Sequence, residues 1–121
     1  MSTPWITSIP NVQEFITTLQ NNPGLIILKF GAEWCVPCKR IESHVHKWFA
    51  TMPSCVQCGL IDVDENFELY GFLRSKRQIN GIPALFCYYK GNTSYIPNAT
   101  VAGTDVGEID AFFQRSLQVL L

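Results

Sequence analysis

Residues 25–32 read Leu-Ile-Ile-Leu-Lys-Phe-Gly-Ala, a nearly continuous apolar run of strand length. A strand with one wet face alternates polar and apolar side chains. A run without that alternation must be covered on both faces, which places it at the centre of a sheet with helices on either side. The neighbouring segments supply those helices. Residues 11–22 set Val12, Phe15, Ile16 and Leu19 on one helical stripe that Pro23 and Gly24 end, and Ile41, Val45, Trp48, Phe49 and Met52 recur at helical spacing before Pro53. Residues 55–65 read as a second buried strand, and residues 66–78 as a weaker helix interrupted by Gly71. Residues 82–92 and 94–103 read as a strand and its partner, with Pro97 marking a bulge or an edge. Residues 105–121 form a terminal amphipathic helix with a box-like start from Asp105 and Glu108.

The order is helix, strand, helix, strand, helix, strand, strand, helix. Its alternating front half implies parallel strands with helical crossovers, and its back half an antiparallel hairpin. The expected fold is α/β, with a central mixed sheet of about four to five strands flanked by helices on both faces. With 121 residues and neither an internal repeat nor a low-complexity linker, residues 1–121 are expected to form one domain.

Composition narrows the class of function. Apolar residues make up 47% and charged residues 16%, the balance of a compact soluble chain rather than a disordered one. A net charge of −1 provides no field to collect nucleic acid, and the short basic run at 74–78 reads as a solvated helix face. No stretch approaches the roughly 20 apolar residues of a membrane span. The first residues lack the basic start and apolar block of a signal peptide, so a cytoplasmic protein is expected. The triplets at Asn92 and Asn98 matter only after secretion and read as incidental. Five cysteines are an odd count, unlike the even framework of a small secreted domain. In a reducing compartment cysteines serve as buried hydrophobes, metal ligands or catalysts.

Residues 34–39, Trp-Cys-Val-Pro-Cys-Lys, raise that choice directly. A pair of cysteines three apart serves as a metal half-site, a structural crosslink or a redox centre. Cys35 follows the buried strand and stands at the start of a helix, and Pro37 suits the first helical turn, where a missing N–H costs nothing. First-turn N–H groups and the helix dipole favour a thiolate there, and thiols in such settings ionise at roughly 3.5–7.5 instead of about 8.5. The thiolate is the form that attacks a disulfide. Cys38, one turn deeper, lies within closing distance, so the spacing supplies an exposed nucleophile and a buried resolver.

With these residues the chain resembles the thioredoxin family. Residues 32–39 match its W-C-x-P-C-K centre, and residues 80–85, Asn-Gly-Ile-Pro-Ala-Leu, match its G-I-P-T-L loop. Val63-Asp64-Glu65 and Gly103 fall in corresponding places, and the likeness covers nearly the whole chain with two small insertions, near 66–78 and near 92–100. The resemblance implies a thioredoxin fold and a protein-disulfide reductase that works by dithiol–disulfide exchange. Cys35 would attack and Cys38 resolve, with Trp34 and Val36 bordering the substrate groove. It also implies a cis Ile82–Pro83 bond against the cysteines, whose backbone pairs with an extended substrate segment. No cofactor beyond a Cys35–Cys38 disulfide is implied. The partners would be disulfide-containing target proteins and a thioredoxin-reductase-like electron donor, and the chain would act as a monomer without membrane or nucleic acid.

The chain departs from the family at three places. The family carries a buried Asp six residues before the first cysteine, which assists proton transfer at the resolving cysteine, and Lys29 stands there instead. Strand alternation sets Lys29 on the face opposite Leu28 and Phe30. It either snorkels to water from a strand end or holds its ammonium near the redox pair, with altered pH dependence or slower resolution. Val36 replaces the usual Gly between the cysteines, where side chains shift the balance of disulfide and dithiol. Finally, Cys55 and Cys58 extend the first pair to C-x2-C-x16-C-x2-C, a four-cysteine zinc pattern in form. We read Cys58 as a core residue and Cys55 as a strand-end residue on the opposite face, with a secondary disulfide through Cys55 as the alternative. Cys87 reads as buried and inert. His44 and His46, some 200° apart around a helix, cannot easily share a metal.

Three other functions compete with the reductase. A disulfide oxidase or isomerase needs a less reducing potential, and the missing signal peptide counts against it. A redox-inactive adaptor does not need both cysteines, Trp34 and the Ile-Pro loop. A structural zinc domain predicts stoichiometric metal.

Overall fold

In the computed structural model, which describes residues 3–121, Asn11 opens helix α1 (Val12–Gln20) by accepting the Glu14 N–H at 2.8 Å. Strand β1 (Leu25–Gly31) follows, then α2 (Val36–Ala50), β2 (Val56–Asp62), α3 (Phe67–Ser75), β3 (Ala84–Tyr89), β4 (Ala99–Ala102) and α4 (Val106–Gln118). The element order is the one the periodicities predict. The sheet runs β2-β1-β3-β4, with β1 parallel to β2, antiparallel to β3, and β3 antiparallel to β4. The 25–32 run thus supplies an inner strand, and every residue of β1 but Gly31 is buried.

Alternation along β1 sorts the core into two halves. Ile26, Leu28 and Phe30 pack with Phe15 and Leu19 of α1 and Leu69 and Leu73 of α3. Leu25 and Ile27 pack with Ile41, Val45 and Phe49 of α2 and Ile109, Phe112 and Phe113 of α4. Helices therefore cover both faces. Lys29 shares its parity with Leu25 and Ile27, and so faces the α2 side.

Three details differ from the expectations. Helix α3 runs through Gly71 without a break, because buried Leu69 and Leu73 anchor it on either side; tertiary packing outweighs the roughly 1 kcal/mol that a helical glycine costs. Asp105 caps α4 by accepting the Glu108 N–H at 3.0 Å, which is half of a capping box. Cys55 precedes β2, so strand alternation does not govern it, and it packs on the same core half as Cys58. Ile6 adds a single parallel bridge to Gly59 at the outer edge of β2. A Cβ on Gly59 would meet Leu28 Cδ2 at 2.7 Å and the Ile6 carbonyl at 3.2 Å, so the close approach needs glycine. At the other edge β4 has four residues and starts just after Pro97, in keeping with an edge position.

Candidate redox site

Strand β1 ends at Gly31, and the chain turns through Ala32, whose carbonyl accepts the Cys35 N–H at 3.2 Å. Cys35 caps α2 in an extended conformation, and its sulfur accepts the Cys38 N–H at 3.2 Å. Pro37 sits in the first turn, so the residue without an N–H occupies a position that needs none. Cys35 and Cys38 are joined by a disulfide, with their Cα atoms 5.3 Å apart. In this state both are buried, at 4% and 3% exposure. The expected exposed nucleophile is thus not found: the disulfide holds the Cys35 sulfur in against the helix start. Exposure lies on the neighbours instead, with Trp34 at 66% and Val36 at 61%.

Trp34 is held upright by its indole N–H, which donates to Asp64 Oδ2 at 2.7 Å. The Ile82–Pro83 bond is cis. Ala84 lies opposite Phe30 in the sheet, which sets Pro83 at the end of β1 from which Cys35 departs. The Pro83 carbonyl accepts the N–H of Gly103, whose φ of 96° suits glycine. A groove of about 360 Å³ lies between the 78–83 loop and β4, lined by Ile82, Pro83, Phe86 and Val101 among others.

Behind the disulfide is a smaller cleft of about 140 Å³. Its walls include Lys29 from β1, Cys38, Lys39, Glu42 and His46 from α2, Glu33 from the turn, and Asp62 from β2. Lys29 is 7% exposed, and burial lowers its pKa, while the Glu42 carboxylate pushes it back up. A methyl group placed on Gly31 would meet Cys38 Sγ at 3.4 Å and Lys29 Cε at 3.9 Å, so the two side chains flank one point. Lys39 pairs with Glu33 at 3.0 Å on the exposed rim. Lys29 therefore stands within β1, not at its end, and its ammonium opens into the cleft beside the redox pair.

Of the remaining cysteines and histidines, His46 lines the cleft and the others lie apart from it. Cys58 and Cys87 are buried, and burial pushes the Cys58 thiol up to about 12 and raises that of Cys87. Cys55 is half-buried and unpaired. His44 bonds Asp110 at 2.6 Å, and the His46 ring lies tilted against Trp5 at 5.3 Å between centroids. Among the described residues no three His, Cys, Asp or Glu side chains converge as metal ligands would. Two residues were not singled out from sequence. Asp64 lies within the Val63-Asp64-Glu65 match without a role attached, and Glu42 stands four residues after Cys38, a spacing that shares a helix face.

A strand-to-helix junction that carries a Cys-x-x-Cys disulfide beside a cis-proline loop defines a thiol–disulfide oxidoreductase of thioredoxin fold. A thioredoxin family model matches residues 7–114, and the chain belongs to that family. It is 26% identical over 105 residues to thioredoxin 3 of Plasmodium falciparum, covering 87% of this chain and 54% of that protein, so the match spans about half of that relative. It is 30% identical over 86 residues to thioredoxin-2 of Saccharomyces cerevisiae, covering 71% and 77%. The solved structure of Trichomonas vaginalis thioredoxin superposes with a TM-score of 0.73 at 24% identity over 94% of this chain and 98% of that one.

Proposed function

We propose that this chain reduces disulfides in target proteins and is recycled by a thioredoxin-reductase-like electron donor. The observation that carries this reading is the Cys35 sulfur at the start of α2, where it accepts the Cys38 N–H. In the reduced chain the Cys35 thiolate attacks one sulfur of a target disulfide. The target S–S bond breaks, one target sulfur leaves as thiolate, and a mixed disulfide remains. Cys38 then attacks the Cys35 sulfur, the Cys35–Cys38 disulfide closes, and the second target sulfur leaves. Two electrons pass from the cysteine pair to the target, and the donor restores them.

In this reading Trp34 and Val36 border the target, Pro37 shapes the helix start, and the Ile82 backbone pairs with an extended target segment ahead of Pro83. No organic cofactor or metal enters the exchange. The chain acts as one thioredoxin-like domain and as a monomer. A reducing compartment such as the cytoplasm suits Cys55, Cys58 and Cys87, which stand unpaired. Among the described residues no helix is long and apolar enough to cross a membrane.

Reduction of insulin disulfides with dithiothreitol as electron source tests this, with wild type beside Cys35→Ser and Cys38→Ser. We expect rapid turnover in wild type and its loss in both variants. Equal rates in all three would overturn the reading, and equilibration with glutathione buffers separates a reductase, with a low potential, from an oxidase.

A further inference from the structure

Lys29 has a buried stem and an ammonium that makes no protein hydrogen bond among the described residues and opens to the cleft, and the side chain flanks the same point as the Cys38 sulfur. Other charged and titratable groups face the cleft from each element around it. Helix α2 contributes Lys39, Glu42 and His46, strand β2 contributes Asp62, and the turn contributes Glu33. Lys39 pairs with Glu33 at the rim, and its like charge opposes that of Lys29. Glu42 is the group that favours the Lys29 ammonium over the neutral amine. In the oxidised chain the ammonium has no anion at the sulfur, because the disulfide is neutral. In the reduced chain Cys38 can supply one.

We propose that the Lys29 ammonium is a positioning charge for Cys38: it stabilises the Cys38 thiolate from behind, so that resolution proceeds without a carboxylate base. The inference rests on the exchange reaction proposed above. In the resolving step Cys38 already carries its negative charge as it attacks the Cys35 sulfur. The Cys35–target bond breaks, and the target thiolate leaves to take a proton from water. Lys29 stays protonated throughout, so it acts by charge and not as a base. Oxidation of Cys38 removes one negative charge from the cleft, and the Lys29 ammonium then faces a neutral disulfide.

The test is an NMR titration of the Cys38 β-carbon in reduced, cysteine-labelled protein, which needs no access for a reagent. Wild type is compared with Lys29→Met and Lys29→Arg. Lys29→Met deletes the charge and leaves an apolar stem of similar length in the buried part of the site, so we expect the fold to be retained. We expect its Cys38 midpoint to rise by on the order of one to three pH units, the range for an opposite charge nearby, with Lys29→Arg near wild type. In a single-turnover assay, release of target from the Cys35 mixed disulfide should slow in Lys29→Met below the new midpoint and recover in Lys29→Arg. An unchanged or lowered midpoint in Lys29→Met would overturn the proposal, as would an equal rise in both variants. Insulin reduction by wild type is measured alongside. Absence of turnover there removes the reductase reading, while the Cys38 midpoint judges Lys29 independently.

Discussion

Asn66 illustrates how a single side chain fixes the surroundings of the redox centre. It is 1% exposed, its Oδ1 accepts the Ile9 N–H at 2.7 Å, and its amide donates to the Asp62 carbonyl at 2.9 Å. It thereby ties the N-terminal segment to the end of β2, next to Asp64 and hence to Trp34. Asn66→Ala leaves the Ile9 N–H buried and unpaired, a loss of about 1–3 kcal/mol. Urea unfolding should show a lower midpoint with an unchanged slope, and a midpoint equal to wild type would dismiss the tie. Little of this was legible beforehand, because Asn66 and Ile9 lie far apart in the chain and an asparagine between elements reads as a surface turn. Cys35, Cys38 and Pro37 were legible, since each has a chemical reason to stand at a helix start, and Pro83 was legible only through the family resemblance. Lys29 was legible in part. Alternation gave its face, but only the folded chain brings Glu42 and Cys38 to the same cleft.

At the scale of elements, the contact between α2 and α4 has a polar component that periodicity does not reveal. Asp110 of α4 accepts the indole N–H of Trp48 at 2.8 Å and bonds His44 at 2.6 Å, both on α2. The Trp48 bond, followed by the His44 bond, holds the Asp110 carboxyl below its usual range. A carboxyl depressed in the folded state contributes stability that is complete above its unfolded value of about 3.9 and is lost as pH falls through the folded value. Asp110→Asn should therefore lower stability at neutral pH, where the contribution is complete, and converge with wild type at acid pH, which flattens the acid limb of the stability–pH curve. Parallel acid limbs for variant and wild type would sink this assignment. Most elements were readable because β1 and the stripes of α1, α2 and α4 are regular, whereas Gly71 weakened the stripe of α3. The N-terminal bridge was not, since Pro4 and Pro10 confine it to one residue, too short for any period to register.

For the whole molecule, the two segments that the resemblance reads as insertions, near 66–78 and near 92–100, meet each other. Phe72 of α3 and Tyr95 of the 92–98 loop pack edge to face at 5.6 Å, and the Lys76 ammonium lies 5.7 Å and 5.6 Å from their ring centres. The Asn92 amide, bonded to the Ile96 carbonyl and to Asn98, closes the loop. Sequence located both segments but gave no reason for them to touch, because rings and cation come from opposite ends of β3. The sheet between them remains the common frame, and its interior thiols give a measure of it. With the Cys35–Cys38 disulfide closed, a maleimide should modify at most Cys55 under native conditions and all three free thiols in denaturant, as counted by mass spectrometry. Prompt modification of Cys58 or Cys87 in the native chain would contradict their burial.

Cys58 and Cys87 then acquire a use that has nothing to do with catalysis. One lies on β2 and the other on β3, to either side of β1, and neither reacts until its strand exposes it. The chain thus carries two internal clocks, and the rates at which they are tagged time the opening of each flank of its sheet. Equal rates would mean that the sheet opens in one piece, and unequal rates would name the flank that parts first.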